Sequence, residues 1–383
     1  MKKDSTKIKI GVLYGGRSGE HNVSLCSAAS VVGALNQNKY EVIAIGIDCD
    51  GRWYVQDKPE IIPDKDFGQI LSLKKRGSWL VNHFEQENKL HIYNIENTNE
   101  EVVIDIVFPV LHGTYGEDGT LQGLLELAMV PYIGADVAGS AVGMDKDIAK
   151  RLLRDAGIPV VPSITISKEQ WQENHVNITE NAIVKLGIPL FVKPLRTGSS
   201  VGVKKVKSRE LLPEAIDFAF QFDTRILIET AIDCREIECA VLGNENPTAS
   251  ILGEILPDQD HHEFYSYDAK YIDPKGATMK IPADIDENLT GRIREAAVEG
   301  YMALGCSSLA RVDFFVDRKT NDFYLNEINT LPGFTSISMY PKLWEATGLK
   351  YSDLLDSLIA LALERHRNKM TIKTDCIIIP KPG

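Results

Sequence analysis

Residues 8–14 (IKIGVLY) form a short apolar run that ends in Gly15-Gly16; residues 23–35 then carry a helical pattern, and 41–47 (EVIAIGI) read as the next strand. Strand, glycine turn, helix and strand in that order predict an α/β opening built on a parallel sheet. Between residues 50 and 100 only short strand-like stretches stand out (GRWYV, SWLV, KLHIYNI). Residues 102–110 (VVIDIVFPV) read as one buried strand. The glycine-rich loop His112–Gly119, a helix near 121–128 and the closing run VPYIG at 130–134 follow it.

Further on, a helix is predicted over 145–156, stopped by Gly157 and Pro159. Strand-like runs lie at 160–166, 190–194, 201–206 and 225–229, giving this middle stretch an α+β character. Strands at 235–242 and 250–256 precede a polar loop, 257–275. A helix at 286–303, strands at 311–316 and 323–328 and a helix at 352–367 complete the pattern. The apolar run 376–379 before Pro380 has no assigned role, and no internal repeat or low-complexity tract is present.

Composition narrows the class of function. The chain has 383 residues, 44% of them hydrophobic, enough for roughly two to three domains. A formal net charge of -12 disfavours nucleic acid and anionic lipid at long range and points to small-molecule chemistry. Six cysteines are scattered without a CxxC pair, as expected for reduced cytosolic thiols. The start MKKDSTKIKIGVLYGG has no long apolar h-region, and no run of about 18 apolar residues occurs. A cytoplasmic protein without a membrane segment is the expectation.

The most chemically informative stretch is Arg311-Val-Asp313-Phe-Phe-Val, a six-residue gap, then Phe323-Tyr-Leu-Asn326-Glu327-Ile-Asn329. Side chains alternate faces along a strand, so Arg311 and Asp313 share one face, as do Glu327 and Asn329. A short turn at 317–322 would pair the two strands and bring the four together. Two carboxylates and an amide are hard oxygen ligands suited to Mg²⁺, and an arginine beside them can neutralise a phosphoryl group or an oxyanion. The same spacing also describes a solvated face of an edge hairpin.

Residues 191–202 (FVKPLRTGSSVG) read as strand, loop, strand. Amides of a glycine–serine loop can cradle phosphate, with Lys193 adding charge, although the loop equally suits an ordinary hairpin. Neither GxxxxGK[ST] nor GxGxxG occurs, so any phosphate binding would use a β-loop-β flap. The loops Gly15–His21 and His112–Gly119 each follow a strand, where α/β proteins place ligand crevices. Glu20 there would suit a substrate ammonium, or would simply complement a helix N-terminus. The remaining histidines, Cys234, Trp344 and Phe314-Phe315 read as structural.

Taken together, the motifs GGRSGEHNVSL (15–25), LHGTYGEDGTLQG (111–123), GMDK (143–146), VKPLRTGSSVGV (192–203), FYSYDAKY (264–271), RVDFFV (311–316) and NEINTLPGFTSISMYPKLW (326–344) resemble the D-alanine–D-alanine ligase family of the ATP-grasp superfamily. The resemblance runs from Ile8 to about Arg367. It implies a three-domain ATP-grasp fold of α/β and α+β parts: an N-terminal domain 1–134 holding the first D-alanine, a central domain 135–231, and a C-terminal domain 232–383 with the metal site and a lid at 257–275. ATP would lie between the central and C-terminal sheets.

The resemblance also implies roles residue by residue. Asp313, Glu327 and Asn329 would hold two Mg²⁺ ions, with Mn²⁺ as a substitute. Lys146 and Lys193 would contact ATP phosphates, and Ser199 and Ser200 would lie in the flap. Glu229 would meet the adenine amino group, Thr230, Ala231 and Ile232 its edge through the backbone, and Glu236 the ribose, with Asn326 completing the nucleotide set. Arg311 and the Gly333 amide would form the oxyanion hole. Glu20, with His112 nearby, would bind the ammonium of the first D-alanine, and Ser338 the carboxylate of the second. Lys270 and Tyr271 would belong to the lid, Tyr271 bonding Glu20 and Ser199 to exclude water. A homodimer is expected.

Another carboxylate–amine ligase of the superfamily, or a nucleotide-binding protein that has lost catalysis, would each share part of this pattern. The first would lack the Glu20 and Tyr271 motifs, the second Arg311 or a metal ligand. Tyr271→Phe is expected to raise acceptance of D-lactate as second substrate; an unchanged ratio of ester to dipeptide product in a competition assay would remove Tyr271 from that role.

Overall fold

The strand–turn–helix–strand opening folds as a parallel unit in the computed structural model, which describes residues 7–82, 88–97, 99–257, 277–335 and 337–373. Strand β1 (Ile8–Gly15), helix α1 (His21–Ala34), β2 (Tyr40–Ile47) and β3 (Trp53–Val55) come first. A hairpin of β4 (Ile61–Asp64) and β5 (Gly68–Leu71), then a three-stranded sheet of β6 (Trp79–Asn82), β7 (Leu90–Asn94) and β8 (Glu101–Ile104), precede β9 (Ile106–Val110). The main sheet has the order β3-β2-β1-β9, with β1 parallel to both β2 and β9.

The single strand expected at 102–110 is two strands serving different sheets. Asp105 separates them. Its carboxylate accepts from the Lys9 amide at 2.8 Å and its own amide donates to the Lys9 carbonyl at 2.9 Å. β8 thereby stays antiparallel to β7 while β9 joins β1.

Helices α2 (Thr120–Leu127), α3 (Val137–Met144) and α4 (Lys146–Asp155) lead into the second sheet. There β10 (Ser163–Ser167), α5 (Lys168–Leu186), β11 (Leu190–Pro194), β12 (Lys204–Val206), α6 (Leu212–Ala219) and β13 (Arg225–Thr230) form an antiparallel sheet of order β10-β13-β11-β12. Strand β12 begins only at Lys204, because Ser199, Ser200 and Gly202 carry positive φ. Helix α5 was not foreseen. Its buried side includes Trp171, Thr179, Ala182 and Leu186, with Val184 exposed and a kink at Asn174, so the apolar period is blurred. Its capping box, Ser167 with Gln170, was the available signal.

The third sheet has the order β16-β15-β14-β17-β18, from β14 (Cys234–Gly243), β15 (Thr248–Pro257), β16 (Ala277–Lys280), β17 (Ser308–Asp317) and β18 (Phe323–Asn329). Helices α7 (Glu287–Ala303), α8 (Met339–Thr347) and α9 (Tyr351–Met370) cover it. One apolar core runs continuously from Ile10, Val12 and Phe108 of the first sheet through Phe334, Tyr340 and Trp344 to Leu355 and Leu358 of α9. A second lies between α4, α7 and the third sheet, and the middle sheet has its own with α5 and α6. Among the described residues no helix is long and apolar enough to cross a membrane. Lys270, Tyr271, the rest of 258–275 and the run 376–379 lie outside the described residues.

Candidate functional site

A cavity of about 750 Å³ lies between the second and third sheets. Its wall includes Lys146, Lys193, Ser199 and Ser200 on one side and Glu236, Arg311, Asp313, Asn326 and Glu327 on the other; Thr230, Ala231 and Ile232 line the connection between the sheets. These expected residues are therefore brought together although they span 146–327.

The acidic wall follows from strand register. β17 pairs β18 with Arg311 opposite Asn329 and Asp313 opposite Glu327, as the hairpin reading predicts. A bulge then intervenes: Phe314 is paired with Leu325, leaving Asn326 as the extra residue. Asn326 and Glu327, adjacent in sequence, thus both reach the cavity, which strict alternation forbids. The Arg311 guanidinium forks onto Asp313, with Nε to Oδ1 at 2.7 Å and Nη2 to Oδ2 at 2.6 Å. Nε also lies 3.0 Å from Glu238 Oε2. Although burial opposes the charge, Asp313 and Glu238 push the guanidinium well above its ordinary pKa. The Asn329 amide donates to Asp313 Oδ2 at 3.0 Å. Glu238 was missed; its signal was the Glu236-x-Glu238 alternation on a strand neighbouring Arg311.

On the basic wall, Lys146 Nζ donates to the Thr197 carbonyl at 2.8 Å, tying α4 to the flap. Lys193 Nζ lies over the rings of Phe191 and Phe315, 5.6 and 5.7 Å from their centroids, and donates to Glu229. Glu229 is only 1% exposed and stands behind the wall rather than in it. Lys150, 2% exposed, approaches its other oxygen at 2.8 Å. Burial would raise the Glu229 carboxyl, but the two ammoniums prevail and hold it down at about 2. Burial lowers the Lys150 ammonium against the pull of Glu229, whereas the Lys193 ammonium is raised, Glu229, Glu327 and Glu236 outweighing burial. Lys150 was also missed; it sits one helical turn after Lys146.

The connecting backbone is partly committed. The Thr230 amide donates to the Pro162 carbonyl at 3.1 Å and that of Ala231 to Pro189 at 3.0 Å. The Ile232 amide makes no backbone hydrogen bond among the described residues, unlike the other two.

Four loops meet beside this cavity. The Ser199 hydroxyl donates to Glu20, joining the flap to the first α/β loop. Gly113, at φ +73°, leaves room for Glu20: a Cβ there would lie 2.4 Å from Glu20 Oε2. The Ser18 hydroxyl donates to the His112 carbonyl at 2.7 Å. His112 Nδ1 is 3.1 Å from the Leu331 carbonyl and Nε2 is 3.1 Å from Ser27 Oγ, linking the first sheet to the loop after β18. In that loop Gly333 abuts Ser338; a Cβ would lie 2.9 Å from Ser338 Oγ, which accepts from the Thr335 amide at 3.0 Å. Glu20 and His112 are thus together, as are Gly333 and Ser338.

Glu117, named only within a motif, lies 3.7 Å from His112 Nδ1. Burial, aided by Glu20, pushes its carboxyl up to about 7 despite His112. His112 is itself raised, Glu117 and Glu20 outweighing burial.

Two family profiles cover most of the chain: that for the D-ala D-ala ligase N-terminus matches residues 9–135, and that for the D-ala D-ala ligase C-terminus matches residues 152–360. The chain is 46% identical over 369 residues to D-alanine--D-alanine ligase A of Escherichia coli (strain K12), covering 96% of this chain and 99% of that protein. Its fold is similar to the D-alanine-D-alanine ligase from Coxiella burnetii, with a TM-score of 0.76 and 38% identity over 95% of this chain and 96% of that one. It is also similar to the VanG D-Ala:D-Ser ligase from Enterococcus faecalis, with a TM-score of 0.79 and 37% identity over 93% and 99%.

A carboxyl with a raised pKa binds its proton more readily in the folded state than in the unfolded chain. Its stabilising contribution is therefore complete below about 4.5 and is lost as pH rises through about 7. The raised His112 acts in the same direction. Glu117→Gln is expected to flatten this pH dependence, changing the stability difference between pH 4.5 and 7.5 by roughly 1–3 kcal/mol. Urea unfolding of both proteins at the two pH values checks it; parallel profiles would count against the raised carboxyl.

Proposed function

The chain belongs to the D-alanine–D-alanine ligase family, and we propose that it joins two D-alanines to D-alanyl-D-alanine at the expense of ATP, for peptidoglycan precursor synthesis in the cytoplasm. One observation carries the site assignment: a cavity between two sheets has lysines on one wall and carboxylates with an arginine on the other. A nucleotide polyphosphate needs both, cations for its oxygens and hard oxygen donors for its counter-cation.

The chemistry explains the arrangement. A carboxylate resists attack by an amine until one oxygen becomes a leaving group. Phosphoryl transfer from ATP to the first D-alanine supplies that, and the amine of the second then displaces phosphate through a tetrahedral oxyanion. Lys146, Lys193 and the flap Ser199–Ser200 orient the phosphates. Consecutive positive φ at Ser199 and Ser200 curls the flap backbone into a shape able to wrap an anion. Glu20 receives the first substrate's ammonium, and Arg311 with the Gly333 amide faces the oxyanion. Ser338 takes the second carboxylate. Asp313, Glu327 and Asn329 would hold Mg²⁺, with Mn²⁺ as substitute; the donor set fits, since Asp313 is opposite Glu327 in the pairing register, Asn329 bonds to Asp313, and all offer oxygen. The ions would offset negative charge on the transferring group. Ile232 would receive adenine and Glu236 the ribose, with Asn326 beside the metal ligands; all three line the cavity. We read the three sheets as domains 1–134, 135–231 and 232–383, assembled as a homodimer.

The fold alone does not choose the second substrate, because a D-Ala:D-Ser ligase shares it. Phosphate release from ATP and Mg²⁺ with D-alanine alone, with D-alanine plus D-lactate, or with L-alanine, with products weighed by mass spectrometry, tests the proposal. D-alanyl-D-alanine formed only with D-alanine is expected; a depsipeptide would reassign the second substrate, and no release with any of them would remove the activity. Glu327→Gln should lower release at least about 1000-fold with an unchanged circular dichroism spectrum; near-normal turnover would remove the metal assignment.

A further inference from the structure

Glu229 is a single buried carboxylate held between two ammoniums. Lys193 approaches one oxygen and Lys150 the other, the latter at 2.8 Å. The two lysines are not equivalent. Lys193 lines the cavity, over Phe191 and Phe315, whereas Lys150 is 2% exposed and does not reach it. Lys150 is fixed on α4, whose neighbouring residues Ala149 and Leu153 pack into the core under the third sheet.

A phosphate or nucleotide that draws on Lys193 must compete with Glu229 for it. If Lys193 were the sole counter-ion, the competition would strand a carboxylate that is only 1% exposed, a costly outcome. With Lys150 in place, the three side chains carry a net positive charge when all are ionised. Glu229 then keeps a cation whichever way Lys193 turns, and the surplus charge is on the lysine that faces the cavity.

We propose that Lys150 is a positioning residue for the nucleotide: by holding Glu229 from behind, it frees the Lys193 ammonium to engage ATP. This rests on the reading of the cavity as the ATP site. Lys150→Met should raise the KM for ATP at least tenfold and weaken Mg-ADP binding in calorimetry similarly, with the KM for D-alanine changed less than twofold. Adding Glu229→Gln to Lys150→Met removes the carboxylate that traps Lys193. It should bring Mg-ADP affinity back to within threefold of wild type. A merely structural lysine would lower stability without separating the KM for ATP from the KM for D-alanine.

A KM for ATP within twofold of wild type in Lys150→Met would overturn the proposal, as would a double variant no better than the single one. Should Lys150→Met fail to fold, the double variant decides alone: affinity within threefold of wild type supports the proposal, and a tenfold loss overturns it. Lys193→Met separates the underlying reading, because an unchanged KM for ATP in that variant would remove the ATP site itself.

Discussion

Charge buried between two sheets must be balanced by charge within reach, and the site is organised by that constraint. Arg311 is forked onto Asp313 and flanked by Glu238; Glu229 is flanked by Lys150 and Lys193. Glu229, Lys150 and Glu238 are too deeply placed to rely on solvent, so removing the partner of one of them costs on the order of 3–5 kcal/mol. The same pairs keep the charges ionised and pointed, so no large reorganisation is needed when a charged ligand arrives. The two walls have complementary surplus: cationic groups on α4 and β11, carboxylates on β14, β17 and β18.

Those walls are held in place by the covering helices. Helix α9 joins the first sheet to the third through a shared apolar core. It adds polar ties: Asp356 accepts from Lys39 at 2.6 Å and from Tyr40 at 2.7 Å, and Arg365 donates to the carbonyls of Tyr132 and Gly134. Arg365 also lies over the Tyr132 ring, 4.6 Å from its centroid. The first and third sheets thus position Glu20, His112, Gly333 and Ser338 as one unit. The middle sheet has a separate core and meets that unit through α4 and the Ser199–Glu20 contact. The flap, which must admit and cover a ligand, is therefore attached by polar contacts rather than by shared apolar packing.

Local pattern alone determined much. Alternation placed Arg311, Asp313, Glu327 and Asn329 on facing strands, and their register is the one alternation requires. The glycine turn after β1 and the flap between β11 and β12 were legible because glycine and serine mark backbone that regular structure cannot use. The joint motifs named the family over nearly the whole chain, as the family profiles bear out. Where period and burial disagree the reading failed. Helix α5 exposes Val184, and 102–110 is apolar on both sides of the single aspartate that breaks it.

Tertiary structure decided what no local window contains. The bulge that turns Asn326 and Glu327 to the same cavity is a property of two paired strands, not of either sequence. Glu238 and Lys150 gain meaning only from neighbours far along the chain, Arg311 and Glu229, and Glu117, which meets His112 within its own loop, gains it from the distant Glu20. The withdrawal of Glu229 behind Lys193 likewise depends on α4 reaching across from another element. Sequence fixes which groups can carry charge and which face of a strand or helix they occupy, because backbone periodicity is local. Which charges share a low-dielectric space, and hence which are paired, shifted or left to bind a ligand, depends on long-range packing that only the folded chain defines.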